Sequence, residues 1–351
     1  MSGRFQDCTE VSEQCPVEAT VLGYYPNLGS GYFFTIMFGL CLIGSVVLGV
    51  KGRMWSYTAA ITCGLILETA GYVGRIILND NPWDSGAFQL QICAIILGPT
   101  FICVSVYLTL KHAAIALNPD LSRIPPAWYP RIFLPADLTC LIVQAIGGGI
   151  AAAAGHDKPD LQETGNRMII AGIVLQVIVL GIFGGLGLDY LMRAARFMRT
   201  NQAMGTPGHQ VWTNFRFRLF AYAISGAFLA IFIRCIYRIA EMAGGWGNHI
   251  MQDEPSFLVL DSTLVLIAVS LLTIFHPAIF FPQMHENVQV AREEKREKKA
   301  EKKAEKEDKK AGKGASSPPF AGGNGGDETD ETTIPQTSNG VSPDNQSKEV
   351  A

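Results

Sequence analysis

Hydrophobic residues are arranged along the chain in seven long runs separated by short polar stretches. The runs cover 31–50, 54–78, 88–110, 132–152, 168–188, 219–240 and 257–281. Each has roughly 18 or more residues, which a helix needs to cross a hydrocarbon core of about 30 Å. A membrane β-barrel is not favoured, since its strands need only about ten residues and alternate apolar with polar positions. The pattern therefore predicts an all-α integral membrane protein with seven transmembrane helices.

The segments on either side of these runs are polar. Residues 1–30 are acidic and have no basic stretch followed by an apolar core, so we expect no cleavable signal peptide, the first run acting as the signal. Beyond residue 283 the chain is dense in Glu and Lys, and from residue 314 it is rich in Gly, Ser, Pro, Asp and Asn. We predict an extracellular segment at 1–30, a transmembrane domain at 31–283, and a charged and then disordered cytosolic tail at 284–351.

Basic residues predict the orientation. The first, third and fifth connections and the tail are rich in Lys and Arg, whereas the other side of the predicted bundle carries only Arg4, Lys158 and Arg167. The positive-inside bias then places the N-terminus outside and the C-terminus in the cytosol. The basic stretch Lys295–Lys310 could touch anionic lipid, but interleaved glutamates favour a solvated helix. The net charge of −3 averages two unlike faces, so it identifies no partner.

The chain has eight cysteines, of which six lie within the runs, where a free thiol behaves as a small apolar side chain. Only Cys8 and Cys15 lie in the predicted extracellular segment. Because that side is oxidising, we expect a disulfide between them, the alternative being two unpaired thiols.

Charged residues inside the runs are the principal candidates for function. A buried charge costs at least about 2.5 to 3.5 kcal/mol in a bilayer, so each needs a partner, water or a role. Glu68, Tyr72 and Arg75 in the second run have i, i+4, i+7 spacing, which places them on one helix face. The sixth run repeats the device with Arg234, Arg238 and Glu241, and Asp261 lies near the outer end of the seventh.

Counting residues from the start of each run places opposite charges at matching depths. The predicted pairs are Glu68 with Arg234, Arg75 with Glu241, and Arg238 with Asp261. We infer that the second, sixth and seventh helices meet around a polar cavity in the outer half of the membrane. The alternative is a set of ionic clamps that fix helix packing and bind nothing.

Other polar positions give weaker signals. Gln144 and Gln176, near the middle of the fourth and fifth runs, could hydrogen-bond to each other, either for packing or along a pathway. Pro99 should kink the third helix because proline removes a helix hydrogen bond. We attribute Asp137, near the inner end of the fourth run, to interfacial solvation.

The sequence argues against an enzyme. The six histidines are isolated, and no metal-ligand pair, nucleophile motif or nucleotide-binding loop is present. We therefore expect no catalytic residue, metal or cofactor, and no built-in ATPase. A seven-helix receptor-like sensor, which would regulate lipid asymmetry or a stress response, remains an alternative.

Several segments, taken in order, resemble the fungal lipid-translocating exporter (RTA-like) family. They are LETAGYVGR, QICAIILGPTF, DLTCLIVQAIGGG, RCIYRIAE and LTIFHPAIFF, and the resemblance covers roughly residues 31–283. It implies a fungal membrane protein that moves or senses amphipathic lipids or toxic hydrophobic compounds, with sphingoid-base-like or sterol-like cargo. We expect it in the plasma membrane, the alternative being another endomembrane. The family's recurring charged positions correspond to Glu68, Arg75, Arg234 and Glu241.

The combined interpretation is a lipid or amphiphile transporter without its own ATPase. The candidate binding or pathway residues are Glu68, Tyr72, Arg75, Gln144, Gln176, Arg234, Arg238, Glu241 and Asp261. A cationic amine headgroup would favour Glu68 or Asp261, and an anionic one would favour the arginines. The expected partners are membrane lipids and an amphipathic small molecule, with no nucleic acid, and the cytosolic partner of the tail stays open.

Overall fold

A computed structural model describes residues 8–154, 159–200, 204–245, 247–281 and residue 300. Within these residues the protein is helical and has no β-strand. The predicted tail beyond residue 283, with its basic stretch, lies outside the described residues except for Ala300.

Within the described ranges, seven helices are long and apolar enough to cross a membrane, as predicted. They are α1 (Leu28–Lys51), α2 (Trp55–Asp80), α3 (Ser85–Leu117), α4 (Tyr129–Ala154), α5 (Pro159–Phe197), α6 (Phe215–Ala243) and α7 (Glu254–Phe280). The helices extend beyond the apolar runs because polar turns at their ends continue the backbone hydrogen bonding. In α5 these turns include Asp160 at the start and Arg196 at the end.

The helices pack as a bundle in which consecutive helices are neighbours and α7 returns to α1. Helix α3 lies at the centre, with contacts to α2, α4, α5 and α6, and 61% of its apolar window is buried. Helix α1 is peripheral, with 22% of its window buried. Its exposed side chains, such as Ile36, Leu40 and Ile43, are apolar and suit contact with lipid.

Close packing of α2 on α3 depends on two glycines. A methyl group at Gly64 would collide with Ile102 and with the carbonyl oxygen of Gly98. A methyl group at Gly98 would occupy the space that the Glu68 carboxyl fills. Small residues therefore let the two backbones approach and leave room for a buried acid between them.

Helix α7 is not a regular α-helix. It contains a π-helical segment, Leu258–Thr263, followed by an α-helical segment, Leu264–Ile274. The hydroxyl of Thr263 donates to the carbonyl of Leu258, five residues earlier. Such π-turns occur often at functional sites, and this one carries Asp261.

The segment before α1 covers one end of the bundle, which we call the N-terminal face. Its Cys8 and Cys15 are joined by a disulfide. The indole of Trp83, in the turn between α2 and α3, donates to the carbonyl of Cys15, and the amide of Asn81 donates to that of Thr9. The opposite end, with the connection between α3 and α4, is the C-terminal face.

Candidate functional site

The charged residues predicted from the sequence lie together inside the bundle. Helix α2 supplies Glu68, Tyr72 and Arg75, α6 supplies Arg234, Arg238 and Glu241, and α7 supplies Asp261; all are buried. We call the six charged members and Glu254, which joins them below, the charged cluster.

The predicted ion pairs are wrong in every case. Arg234 pairs with Asp261, the Nε and Oδ1 atoms being 3.0 Å apart, and Arg238 pairs with Glu241 on its own helix at 2.6 Å. Depth along a helix gives the height of a side chain in the bundle, but it does not determine which neighbouring helix the side chain faces. The i, i+3 spacing within α6 brings Arg238 and Glu241 together without help from another helix.

Arg75 pairs with Glu254, the first residue of α7, which the prediction did not include as a partner. Its Nη2 atom lies 2.5 Å from Glu254 Oε1, and the same oxygen accepts from the backbone N–H of Asn27 at 2.9 Å. The guanidinium also donates to the hydroxyl of Tyr24 at 3.3 Å and lies 4.7 Å from the ring centroid of Phe257. Burial raises the pKa of Tyr24, which therefore remains a neutral phenol. The segment before α1 thus closes the cluster at the N-terminal face.

Arg234 has a second partner, which Pro99 makes available. Proline lacks an N–H group, so the carbonyl of Ile95, four residues earlier in α3, has no helical donor. Arg234 Nη2 donates to this carbonyl at 2.6 Å. Helix α3 continues through Pro99. The carbonyl of Ile95, which the proline leaves without a helical donor, is the buried acceptor through which α6 binds α3.

The pair of Arg234 with Asp261 is an ionic contact rather than a directed hydrogen bond. The two atoms are close, but their alignment does not satisfy hydrogen-bond geometry, and both carboxylate oxygens of Asp261 lack a hydrogen bond among the described residues. Asp261 is therefore neutralised but poorly satisfied.

No cation of the described residues lies within ion-pair distance of Glu68. Its side chain is 1% exposed, its Oε1 has no hydrogen-bond partner, and it forms no ion pair among the described residues. It interacts electrostatically with Arg234 and Asp261, whose charges already pair with each other. Three arginines therefore face four carboxyls, and Glu68 is the carboxyl in excess.

The space around the cluster is narrow. One cleft, lined by Tyr24, Arg75, Gln91 and Glu241 among others, has room for about one water molecule, and a second, lined by Arg234 and residues of α4 and α5, is only slightly larger. The predicted polar cavity is thus closed in this conformation. Any group larger than a few water molecules can enter only if helices separate.

The two predicted glutamines form a polar chain beside the second cleft. Gln144 Nε2 donates to Gln176 Oε1 at 3.1 Å, and Gln176 Nε2 donates to Thr100 Oγ1 at 3.1 Å. This connects α4, α5 and α3 at the depth of Arg234, which lines the same cleft. The ring of Tyr72, in contrast, stacks on Phe34 and Phe38 and packs this part of α2 against α1.

Asp137 is not solvated, contrary to the prediction. It is 2% exposed, and its Oδ2 accepts a hydrogen bond of 2.6 Å from the hydroxyl of Tyr107. Its position near the end of an apolar run suggested solvent, but helix α4 turns this side chain toward α3.

Comparison with known proteins gives a consistent assignment. Residues 61–284 match the family described as RTA1 like protein. The sphingoid long-chain base transporter RSB1 of Saccharomyces cerevisiae is 31% identical over 283 residues, which is 74% of this chain and 74% of that protein. Protoporphyrin uptake protein 1 of the same yeast is 26% identical over 216 residues, or 60% of this chain and 67% of that protein. No solved structure matches the chain. With seven apolar helices and these relatives, the chain is a multi-pass membrane protein that belongs to the RTA1-like family of membrane transporters.

Proposed function

We propose that this protein transports amphipathic lipids with a cationic amine headgroup, of the sphingoid long-chain base class, and that Glu68 binds the amine. The single observation that carries the proposal is the excess carboxyl. Asp261, Glu241 and Glu254 each form an ion pair with an arginine, whereas Glu68 forms none within the part of the chain that the structure describes. An ammonium group is the ligand that such a buried carboxylate lacks.

The arginines fit an anionic headgroup less well. Each of Arg75, Arg234 and Arg238 already faces a carboxylate, so an incoming phosphate or carboxylate would have to displace it. A sterol without a charged group would leave Glu68 unpaired. The charge count therefore favours amines among the cargo classes that the sequence allowed.

The apolar chain of the cargo would stay in lipid while its headgroup enters between helices. The relatives' names support a transport role, and one of them names a sphingoid long-chain base. We place the N-terminus outside the plasma membrane by the positive-inside bias. Without a nucleotide-binding loop, cargo would move downhill or by coupling to a gradient.

The test is release of a labelled sphingoid base from liposomes that contain the purified protein. We expect the wild type to release the base faster than empty liposomes, and Glu68→Gln to lower the protein-dependent rate at least tenfold. The matched control is Glu163→Gln, which neutralises an exposed carboxylate paired with Arg167 and should leave the rate unchanged.

A second arm changes the cargo instead of the protein. The N-acylated base, which has the same chain but no cationic amine, should not be released by the wild type. Equal rates for Glu68→Gln and the wild type would refute the amine site. A wild type that moves no more than empty liposomes would favour the sensor alternative.

A further inference from the structure

We propose that the bundle also moves protons, with Asp137 as the proton-binding carboxyl nearer the C-terminal face, so that export of the base is coupled to proton entry. The inference rests on the proposed function of Glu68. It adds proton movement as a second activity, and it gives a role to Asp137, which the sequence predicted to be solvated.

Asp137 shares with Glu68 a property that the other buried carboxyls of the described helices lack. Asp261 and Glu241 each have an arginine within ion-pair distance, whereas Asp137 forms no such pair among the described residues. Its Oδ2 accepts from Tyr107, and its Oδ1 has no partner. A carboxyl buried without a cation costs less in its neutral form, so binding a proton removes the cost of burying it.

In the described ranges of the chain, the titratable groups around Asp137 include no cation. Helix α3 presents Tyr107 and Cys103, α6 presents Cys235, and α4 itself contributes Cys140. From α5, the neutral ring of Phe183 packs on Tyr107 at 4.4 Å between centroids. A proton is thus the available positive charge for this carboxylate.

The two carboxyls lie at different depths. Asp137 is eight residues from the start of α4, or about 12 Å from the C-terminal face at 1.5 Å per residue. Glu68 is twelve residues from the end of α2, or about 18 Å from the N-terminal face. Both carboxyls are buried in this conformation, so alternating protonation requires helix movements that open Asp137 to the C-terminal face and Glu68 to the N-terminal face.

Cys103 and Cys235 interact electrostatically with Asp137 and with Arg234, and Arg234 in turn interacts with Glu68. Tyr107 and Cys103 lie one turn apart on α3, and Cys235 is adjacent to Arg234. Arg234 lines the cleft that contains Gln144 and Gln176, with room for a water molecule. The fixed charge of Arg234 opposes free passage of a proton, so we infer stepwise transfer during helix movement rather than channel conduction.

The proton balance is as follows. When an ammonium from the C-terminal side binds Glu68, the carboxyl gives up its proton, which passes to Asp137 and then to the solution at the C-terminal face. After the base leaves toward the N-terminal face, Glu68 takes a proton from that solution. One base moves outward for each proton that moves inward.

The experiment uses full-length protein in liposomes with a pH-sensitive dye and a labelled base. For the wild type we expect an imposed proton gradient to accelerate base release at least tenfold, and addition of base to drive proton movement. Asp137→Asn, which can still accept the Tyr107 hydrogen bond, should lose both responses, while its base-for-base exchange falls far less. Asp189→Asn, a partly exposed carboxylate paired with Arg123, should behave as the wild type.

The outcomes separate this inference from the proposed function. Wild-type protein that exchanges base but moves no protons would overturn the proton coupling and leave the amine site standing. Unaltered coupling in Asp137→Asn would make Asp137 a packing residue. If that variant does not fold, Tyr107→Phe, which keeps the carboxyl but removes its donor, should retain proton movement with a shifted pH profile, and an unshifted profile would also overturn the assignment.

Discussion

Neutralising the buried carboxyls one at a time should separate structural charges from Glu68, the proposed amine-binding residue. The perturbations are Asp261→Asn and Glu68→Gln, which remove one negative charge each with little change in shape. Both side chains are 1% exposed, so burial alone predicts similar costs. The ion pairs predict different losses of stability, because Arg234 loses its carboxylate partner only in Asp261→Asn.

The magnitudes follow from what each variant leaves behind. Asp261→Asn removes the one carboxylate that lies within ion-pair distance of the buried Arg234 among the described residues, and breaking a buried pair in this way costs about 3 to 5 kcal/mol. Glu68→Gln strands no cation and should change stability by about 1 kcal/mol or less. The expected difference of at least about 2 kcal/mol is roughly thirtyfold in the unfolding equilibrium constant.

The assay is denaturant titration of the purified protein in detergent, in which tryptophan fluorescence and far-UV circular dichroism monitor unfolding. Glu241→Gln, which strands Arg238, should resemble Asp261→Asn, and Glu163→Gln on the surface should stay within about 0.5 kcal/mol of the wild type. A loss for Glu68→Gln as large as that for Asp261→Asn would refute the reasoning. Glu68 would then be the counter-ion of Arg234, as depth matching from the sequence proposed.

Three further perturbations test the packing around the cluster. Gly64→Ala should destabilise the bundle by about 1 to 3 kcal/mol because its methyl group meets α3, whereas Gly39→Ala, with open space around it, should be neutral; thermal melts compare them. Pro99→Ala restores an N–H to α3, so a double-mutant cycle with Arg234→Gln should give a coupling of about 1.5 to 3 kcal/mol, and additivity would contradict the contact. Tyr24→Phe removes one weak acceptor at 3.3 Å and should cost about 1 kcal/mol or less in the same melts, a larger loss showing that the hydroxyl does more than accept this bond.

Apolar run length was sufficient to predict the seven helices, because spanning a bilayer imposes a length that few other segments reach. The same criterion of apolar run length left Glu254 outside the predicted helix. It lies before the apolar run 257–281, so it was excluded from the charge count, yet it begins α7 and neutralises Arg75. A count that began the seventh helix at Glu254 would have found four carboxyls for three arginines.

Side-chain partners could not be predicted because periodicity gives a face but not the rotation of one helix against another. Arg234 shows the consequence. Its contact with the Ile95 carbonyl depends on how α6 meets α3 and on a helix bond that Pro99 removes. The sequence contains the proline and the arginine 135 positions apart, and only the fold places them together.

On the proposed function, the excess carboxyl explains why a transporter of this design should exchange its cargo rather than leak. With Glu68 ionised, the charged cluster carries one uncompensated negative charge, and enclosing that charge between helices is costly. Either an ammonium headgroup or a proton cancels it. On the proposed function, the closed bundle is therefore favoured when the site holds base or proton and disfavoured when it is empty. The same uncompensated charge opposes the conformational change that would turn the empty, ionised site from one face to the other. Each base that leaves therefore requires a proton or another base to return.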